Sequence, residues 1–500
     1  MKKYFLGLLV MSMLTFWGCS KSFLDETPKG SLVPQNFYKT SNDLTIACSG
    51  IAYQMGACFS LVTPTYFGAD DITAKRTGNK IVFSDYDVFV DNNTKASNAR
   101  MSAYFWNPLY ATIKQANALI ANYKNAKEAT IAQQNNAGGY AYFIRATCYF
   151  YLTRTFGNIP MPLLVSTDSL QNSTVESIYT QIVSDLKNAE TMLPNHWTGN
   201  QQQNGIDILP TAGSAKAMLA EVYLTMAGWP LKQTDKYALA AQKAKEVIDN
   251  KASWGYDLLP NYGDLWQIGN KFNKEAIFAC YYNNQAPNTG FYNGTEMGPP
   301  SLAPAEEGGW DDLFGEITFF KNFPEGPRKA ATYQYQYFPN NNPALATDWE
   351  HDVQKHPYFL KYRDDVSYNW TTHKSNNWWG SATSYLLRYS NVLLTYAEAE
   401  AMSAGPDASA YAAVNLIRAR AAGHLNDLQA GLSQTAFRDS VVAERGWEYA
   451  AEFGSRWYDL LRTETVAKVN STRDAGEVPL TNQPDDANHA YYLSPIPITQ

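Results

Sequence analysis

Ser173-Thr174-Val175-Glu176 opens the stretch STVESIYTQIVSDLKNAETML (residues 173–193), and the run TAGSAKAMLAEVYLTMA (211–227) follows shortly after it. The first has the S-x-x-E form of a capping box, in which a hydroxyl and a carboxylate satisfy the free N–H groups at a helix start. Behind it Ile178, Ile182, Leu186, Ala189 and Leu193 recur at steps of three and four, giving one apolar stripe that Pro194 stops. The preceding segment, Gly139 to Phe156, is apolar almost all round and reads as a helix packed on several sides, ended by Gly157 and Pro160. Thr211 to Ala227 supplies a third helix and Gly228-Trp229-Pro230 a corner. A fourth helix then places Tyr237, Ala241, Ala244 and Ile248 on one face. Leu219-Ala220 and Tyr223 facing small alanines match the large-small-aromatic logic of a tetratricopeptide hairpin, although the turn is longer than that repeat allows. An ordinary helical bundle accounts for these residues equally well.

Working outward, 500 residues exceed one compact core, so two subdomains or one elongated body are expected. Charged residues make up only 17% and the net charge of -7 is spread without blocks, which argues against a nucleic-acid binder and suits a neutral ligand. The 34 Tyr and 13 Trp raise the question of what the exposed aromatics do. Lys2-Lys3 precede an apolar run from Tyr4 to Trp17, too short for a spanning helix but suited to a secretory signal (residues 1–18). Gly18-Cys19 has the form of a bacterial lipoprotein processing site, with Cys19 as the lipid anchor, although Phe16 and Trp17 are bulkier than usual there; a plain signal peptide cleaved nearby is the other reading. Of the other cysteines, Cys48 and Cys58 sit ten residues apart on one helix, roughly 15 Å and too far for a bridge. With Cys148 and Cys280 they read as buried thiols.

Residues 19–40 form a polar tether, and 41–282 a helical scaffold that begins with a helix from about Ser41 to Phe59, capped by Ser41 or Asn42. Periodicity lapses over 60–99, an excursion from the scaffold, and resumes around Phe105-Trp106, where Trp106 reads as core. Glu275 to Tyr281 has a strand's composition. From 283 to 383 Gly, Pro, Asn and aromatics dominate with almost no helical period, too long a stretch for an idle connection. Residues 384–500 return to helices, expected over Tyr385–Met402, Ala408–Ala421 and about Gln434–Thr463. On the last, Glu444, Glu448 and Glu452 share a face with Arg445, Arg456, Asp459 and Arg462 nearby, which predicts a salt-bridge network; a metal or catalytic role for the carboxylates is the alternative.

Taken in order, several fragments resemble the SusD/RagB family of outer-membrane nutrient-binding lipoproteins. They include Cys19 with Phe23-Leu24-Asp25, Phe156-Gly157-Asn158-Ile159-Pro160, and Phe323-Pro324-Glu325-Gly326-Pro327-Arg328-Lys329. Later come Tyr396-Ala397-Glu398-Ala399, Asn415-Leu416-Ile417-Arg418, Arg456-Trp457 with Asp459-Leu460, and Pro495-Ile496-Pro497. The family's tail runs on past its Pro-Ile-Pro whereas this chain stops at Gln500, so a final segment is expected to be missing. The resemblance implies a mainly α fold, with tetratricopeptide-like helix pairs supporting an irregular, loop-rich ligand-binding subdomain with few short strands. It also implies lipid-anchored display on the outer membrane and capture of oligosaccharide, less often peptide, without cleavage. The captured ligand would pass to a TonB-dependent SusC-like transporter.

A sugar ring has an apolar face and a polar rim, so its binder needs exposed flat aromatics beside amides or carboxylates. Only the 60–99 excursion and the 283–383 region offer both. Trp310, Trp370, Trp378 and Trp379 are the expected platforms, with Tyr292 and Phe89 behind them, and Asp70, Asp71, Asn93, Asp311 and Asn377 are the candidate hydroxyl partners. Each is open to the alternative that it packs its own loop. Arg328 reads as structural. The rival is a glycoside hydrolase using two carboxyls among Glu306, Glu307, Asp311 and Asp312. A third reading is a helical scaffold for a protein partner. The six histidines are scattered without an H-E-x-x-H, and no phosphate loop or G-x-S-x-G occurs, so no metal, cofactor or catalytic residue is expected.

Overall fold

The computed structural model describes residues 37–59, 66–164, 171–282, 307–375, 380–422, 427–452 and 454–498. Its principal helices are α1 (Ser41–Cys58), α2 (Asn107–Asn122), α3 (Ile131–Phe156), α4 (Val175–Met192), α5 (Ala212–Ala227) and α6 (Lys236–Asp249). They continue with α7 (Tyr389–Ala404), α8 (Ala408–Ala422), α9 (Gln434–Glu448) and α10 (Ser455–Arg462). From α1 to α7 each helix packs on the next, and α7 then carries both α8 and α9. The fold is therefore mainly helical, a stack of tetratricopeptide-like pairs with an irregular half attached.

Several helix ends differ from the sequence reading. α1 is capped by Thr40, whose hydroxyl accepts the Asp43 N–H at 3.1 Å while the Asp43 carboxylate accepts the Thr40 N–H at 2.8 Å. α4 starts after Thr174, whose hydroxyl accepts the Ser177 N–H at 3.3 Å; Ser173 instead pairs with Ile159 in a two-residue ladder. α3 begins eight residues before Gly139, behind a Thr130–Gln133 capping box. Gly138 and Gly139 lie inside it because the end of α4 comes so close: a Cβ on Gly139 would sit 3.0 Å from the Leu193 nitrogen. Residues 384–388 form a strand rather than helix, pairing antiparallel with Ala276–Cys280 before α7 begins. Trp106 is buried against Tyr110 and Phe156, as expected. Cys48, Cys58 and Cys148 are buried free thiols, while Cys280 is only partly covered.

The expected long helix 434–463 is two helices. α9 stops at Glu448, and left-handed backbone at Ala451 (φ 59°) and Gly454 (φ 76°) reverses the chain into α10. A Cβ on Gly454 would fall 2.4 Å from the Tyr66 ring, so this turn accepts only glycine. The break keeps the carboxylates together by another route. Glu448 meets Arg328 at 3.0 Å, Arg388 at 2.9 Å, and Arg420; Glu444 meets Arg328 at 2.6 Å and Arg418 at 2.8 Å. Glu452, in the turn, meets Arg388 at 2.9 Å and Lys361 at 3.0 Å, and Glu275 meets Arg388 at 2.7 Å and Arg420 at 2.5 Å. All four carboxylates are buried. Burial works to raise the Glu448 carboxyl, but the guanidiniums of Arg420, Arg388 and Arg328 outweigh it and hold it well below the ordinary carboxylate range.

Removing one partner of such a network strands buried charge. Glu448→Ala should lower the unfolding free energy by about 3–5 kcal/mol, read from chemical-denaturation midpoints. Breaking the exposed Lys245–Asp249 pair should leave the midpoint almost unchanged. A loss under about 1 kcal/mol for Glu448→Ala would show that the network does not hold the two halves together.

Candidate functional site

The two regions that lose helical period in the sequence meet in space. Ile72–Ala74 pairs antiparallel with Leu313–Gly315, and the Lys75 N–H donates to the Asp312 carbonyl at 2.9 Å. Trp310 lies just before that strand and is 38% exposed. Beneath it the Lys80 ammonium sits 5.7 Å from its ring centroid and 3.3 Å from Asp312, so the indole covers a buried ion pair. Left-handed backbone at Asp311 (φ 57°) separates the two neighbours: the Asp311 carboxylate is buried and accepts from Tyr358, Gln354 and Lys75.

Trp370 is 42% exposed on the turn joining Tyr368–Asn369 to Lys374–Ser375. Its indole N–H donates to Asp365 at 2.8 Å and its ring meets Tyr368 edge-on at 4.8 Å, which fixes one rotamer. Glu307 ties this hairpin to the Trp310 segment. Its buried carboxylate accepts the Tyr368 hydroxyl at 2.7 Å, the Gln334 amide at 2.7 Å and the Phe338 N–H at 3.0 Å, and the next residue, Gly308, runs against Lys374 and Ser375. Both exposed indoles are therefore presented by one hydrogen-bonded unit.

Other candidates fall elsewhere. Phe89 is core rather than platform: it is 1% exposed, under Tyr491 and beside Lys95. Asp70 is not available to a ligand, since Arg456 grips both its oxygens at 2.6 and 2.8 Å. Asp71 is buried and accepts the Ala451 N–H at 2.8 Å; burial, opposed by that bond, pushes its carboxyl up to about 6. Asn93 is exposed, on a short helix (Asn92–Ala96) whose end meets the C-terminal segment at Ile498. Tyr292, Asn377, Trp378, Trp379 and Cys19 lie outside the described residues. Arg328 is structural, as expected.

The sequence reading missed the stacked pair Phe338–His373, with ring centroids 3.6 Å apart, and Tyr335, which is 41% exposed. The alternation Tyr333-x-Tyr335-x-Tyr337 carried the signal: Tyr333 and Tyr337 are wholly buried, and the tyrosine between them faces out.

The hydrolase alternative loses its acids here. Glu307 and Asp311 are saturated, Asp312 is paired to Lys80, and Glu306 is outside the described residues. Among the described residues no group of side chains is arranged to hold a metal ion, and no helix is long and apolar enough to cross a membrane.

Comparison with known proteins agrees with this architecture. Residues 288–500 match the model of the SusD family, and residues 23–224 match one described as starch-binding, associating with the outer membrane. SusD-like protein P2 of Formosa agariphila is 30% identical over 99% of this chain and 97% of its own length. The chain belongs to the SusD family. Among solved structures, a SusD homolog from Bacteroides thetaiotaomicron superposes with a TM-score of 0.75 at 23% identity, covering 93% of this chain and 95% of that one. A laminarin-binding SusD-like protein does so with a TM-score of 0.70 at 22% identity, over 92% and 97%. SusD-family proteins are non-catalytic binding proteins, which agrees with the saturated state of Glu307 and Asp311.

One buried acid beside the strand pair responds to pH. Burial pushes the Glu316 carboxyl up to about 8, aided by Glu477 and Asp70 and opposed by the Phe319 N–H, which it accepts at 2.7 Å, and by Arg473. A raised folded value means its contribution is complete below the ordinary value of 4.5 and is lost as the pH climbs toward 8. Glu316→Gln keeps the helix-capping acceptor without the charge. Its denaturation midpoint should therefore fall less than the wild type's between about pH 5 and pH 8; equal falls would show that Glu316 does not titrate across that window.

Proposed function

We propose that this SusD-family protein is a glycan-capturing lipoprotein of the outer-membrane surface, anchored through Cys19, and that it passes oligosaccharide to a TonB-dependent SusC-like transporter. The observation that carries the reading is the pair of exposed indoles, each held in place while a large part of its surface stays open: Trp310 over the buried Lys80 ammonium, and Trp370 against buried Tyr368 with a hydrogen bond to the exposed Asp365. A flat, fixed ring stacks on a sugar's C–H face at little entropic cost, whereas a mobile one would surrender rotamer freedom. The laminarin-binding relative and the starch-binding description of the N-terminal match support the same ligand class. Trp378, Trp379 and Asn377 follow the Trp370 hairpin in sequence and are proposed to extend the platform; Tyr292 and Asn93 are proposed as peripheral contacts.

Gel retardation of the mature chain by a panel of neutral polysaccharides, with released reducing ends scored in the same samples, tests this. At least one glycan should retard the protein without release of sugar. Trp310→Ala with Trp370→Ala should weaken retardation about tenfold or more, on the order of 1.4 kcal/mol; uncovering the Lys80–Asp312 pair should lower the unfolding midpoint, so circular dichroism at the assay temperature checks that the double variant is still folded. Unaltered retardation in the double variant would sink the platform, and released sugar would reinstate the hydrolase.

A further inference from the structure

We infer that a second site for neutral oligosaccharide lies on the helical stack, in the groove between α1, the first turns of α3 and the hairpin over 197–209. The groove encloses about 720 Å³, within the range that holds a small ligand. Asn42, Thr45 and Ser49 line one wall from a single face of α1, at steps of three and four residues. Asn136 of α3 lines the floor, and Trp197 and Gln201 line the opposite wall.

Three properties select the ligand. First, among the described residues none of the side chains lining the groove carries a formal charge, so a phosphate, a nucleic acid or an acidic glycan finds no cation there. Second, the polar lining consists of amides, which both donate and accept, and of hydroxyls, of which those of Thr45 and Ser49 donate to the Ser41 and Thr45 carbonyls at 3.1 and 2.9 Å and so offer their lone pairs to a sugar's hydroxyls. Third, the aromatic wall is built rather than loose. The Trp197 N–H donates to Asp207 at 2.8 Å, its indole N–H donates to the Pro210 carbonyl at 2.9 Å, and Gln202 adds a second bond to Asp207 at 2.9 Å. The ring is therefore half-buried and held in one orientation beside exposed hydroxyls of α1. The ligand class rests on the glycan reading of the loop-rich half, but the location does not, because none of the groove's lining comes from residues 307–388. A long glycan would then touch the protein at two faces, which raises its effective affinity beyond that of either.

The test is hydrogen exchange read by mass spectrometry on the mature chain with maltohexaose, laminarihexaose and xylohexaose, alone and in the Trp310→Ala, Trp370→Ala background. At least one oligosaccharide should still protect peptides covering 41–58 and 197–209 in that background. Ser49→Trp, which fills the groove from an exposed helix position, should weaken that binding about tenfold. Asn42→Ala with Gln201→Ala, which removes polar groups without adding bulk, should weaken it several-fold, so a fold defect in Ser49→Trp cannot mimic the result. Protection restricted to the loop-rich half, no protection by any of the three sugars, or protection of the groove only when the transporter is added would overturn the inference, the last by making this face a partner contact. Loss of binding in Ser49→Trp with none in the double tryptophan variant would instead remove the loop-rich platform and leave the groove as the site.

Discussion

Glu448 is 0% exposed and surrounded by three guanidiniums, and most of the architecture follows from where those come from. Arg388 ends the strand before α7, Arg420 is on α8, and Arg328 is on a short helix of the irregular half. Each ion is costly to dehydrate, and the cost is met only when all of them converge. The helical stack and the loop-rich half are thus tied together through Arg328, which the irregular half adds to the pairs that Glu448 makes with Arg388 and Arg420 in the helical part. Lys361 extends the tie. Burial pulls its ammonium down to about 8 against the pull of Glu452, and it donates to the Ala450 carbonyl at 2.9 Å. That contact holds the turn in which α9 breaks.

A second network fixes the helices to one another. Arg445 reaches Glu221 at 2.9 Å and Asp459 at 2.8 Å, and Arg462 reaches Asp459 at 2.8 Å and Glu398 at 2.5 Å, so α5, α7, α9 and α10 share one set of charges. These directional contacts supply what alanine-rich interfaces lack, because small side chains permit close approach but many relative rotations. With the scaffold so defined, irregular segments can be ordered by side-chain bonds rather than by ladders. Glu307 and Asp311 do this for the Trp310 and Trp370 segments.

The stack was legible because its signals are local. The stripe Ile178, Ile182, Leu186 and Ala189 is buried as its spacing implies, and Thr211 caps α5 where that helix was expected to start. Errors arose where tertiary contacts overrule local pattern. The segment 434–463 has helical composition throughout, yet the needs of Glu452 and Asp71 around Ala450–Gly454 break it. Residues 385–388 carry a helix-like spacing but satisfy the open edge of Ala276–Cys280. At the site, Trp310 and Phe89 are indistinguishable as sequence, both being aromatics in polar loops. Only the packing of Phe89 beneath Tyr491 separates them. Asp70 and Asp311 misled for the same reason: a carboxylate beside an aromatic looks free until its distant partner, Arg456 or Tyr358, is known.

The distribution of charge bears on the character of the surface as well. The chain is poor in charge for its length, and part of what it has is spent inside: Arg145, Arg328, Arg363, Arg388, Arg445, Arg456 and Arg462 are all buried, most of them against buried carboxylates. At the groove between α1, α3 and the 197–209 hairpin, the described polar side chains facing out are amides and hydroxyls without formal charge. A surface of that kind has little long-range field with which to steer ions, and discriminates at short range through hydrogen bonds and ring contacts. The internal ion pairs fix the shape of the chain, and the neutral groove is one face on which that shape is presented. A rigid interior and a neutral polar face together are compatible with the glycan binding proposed for the chain.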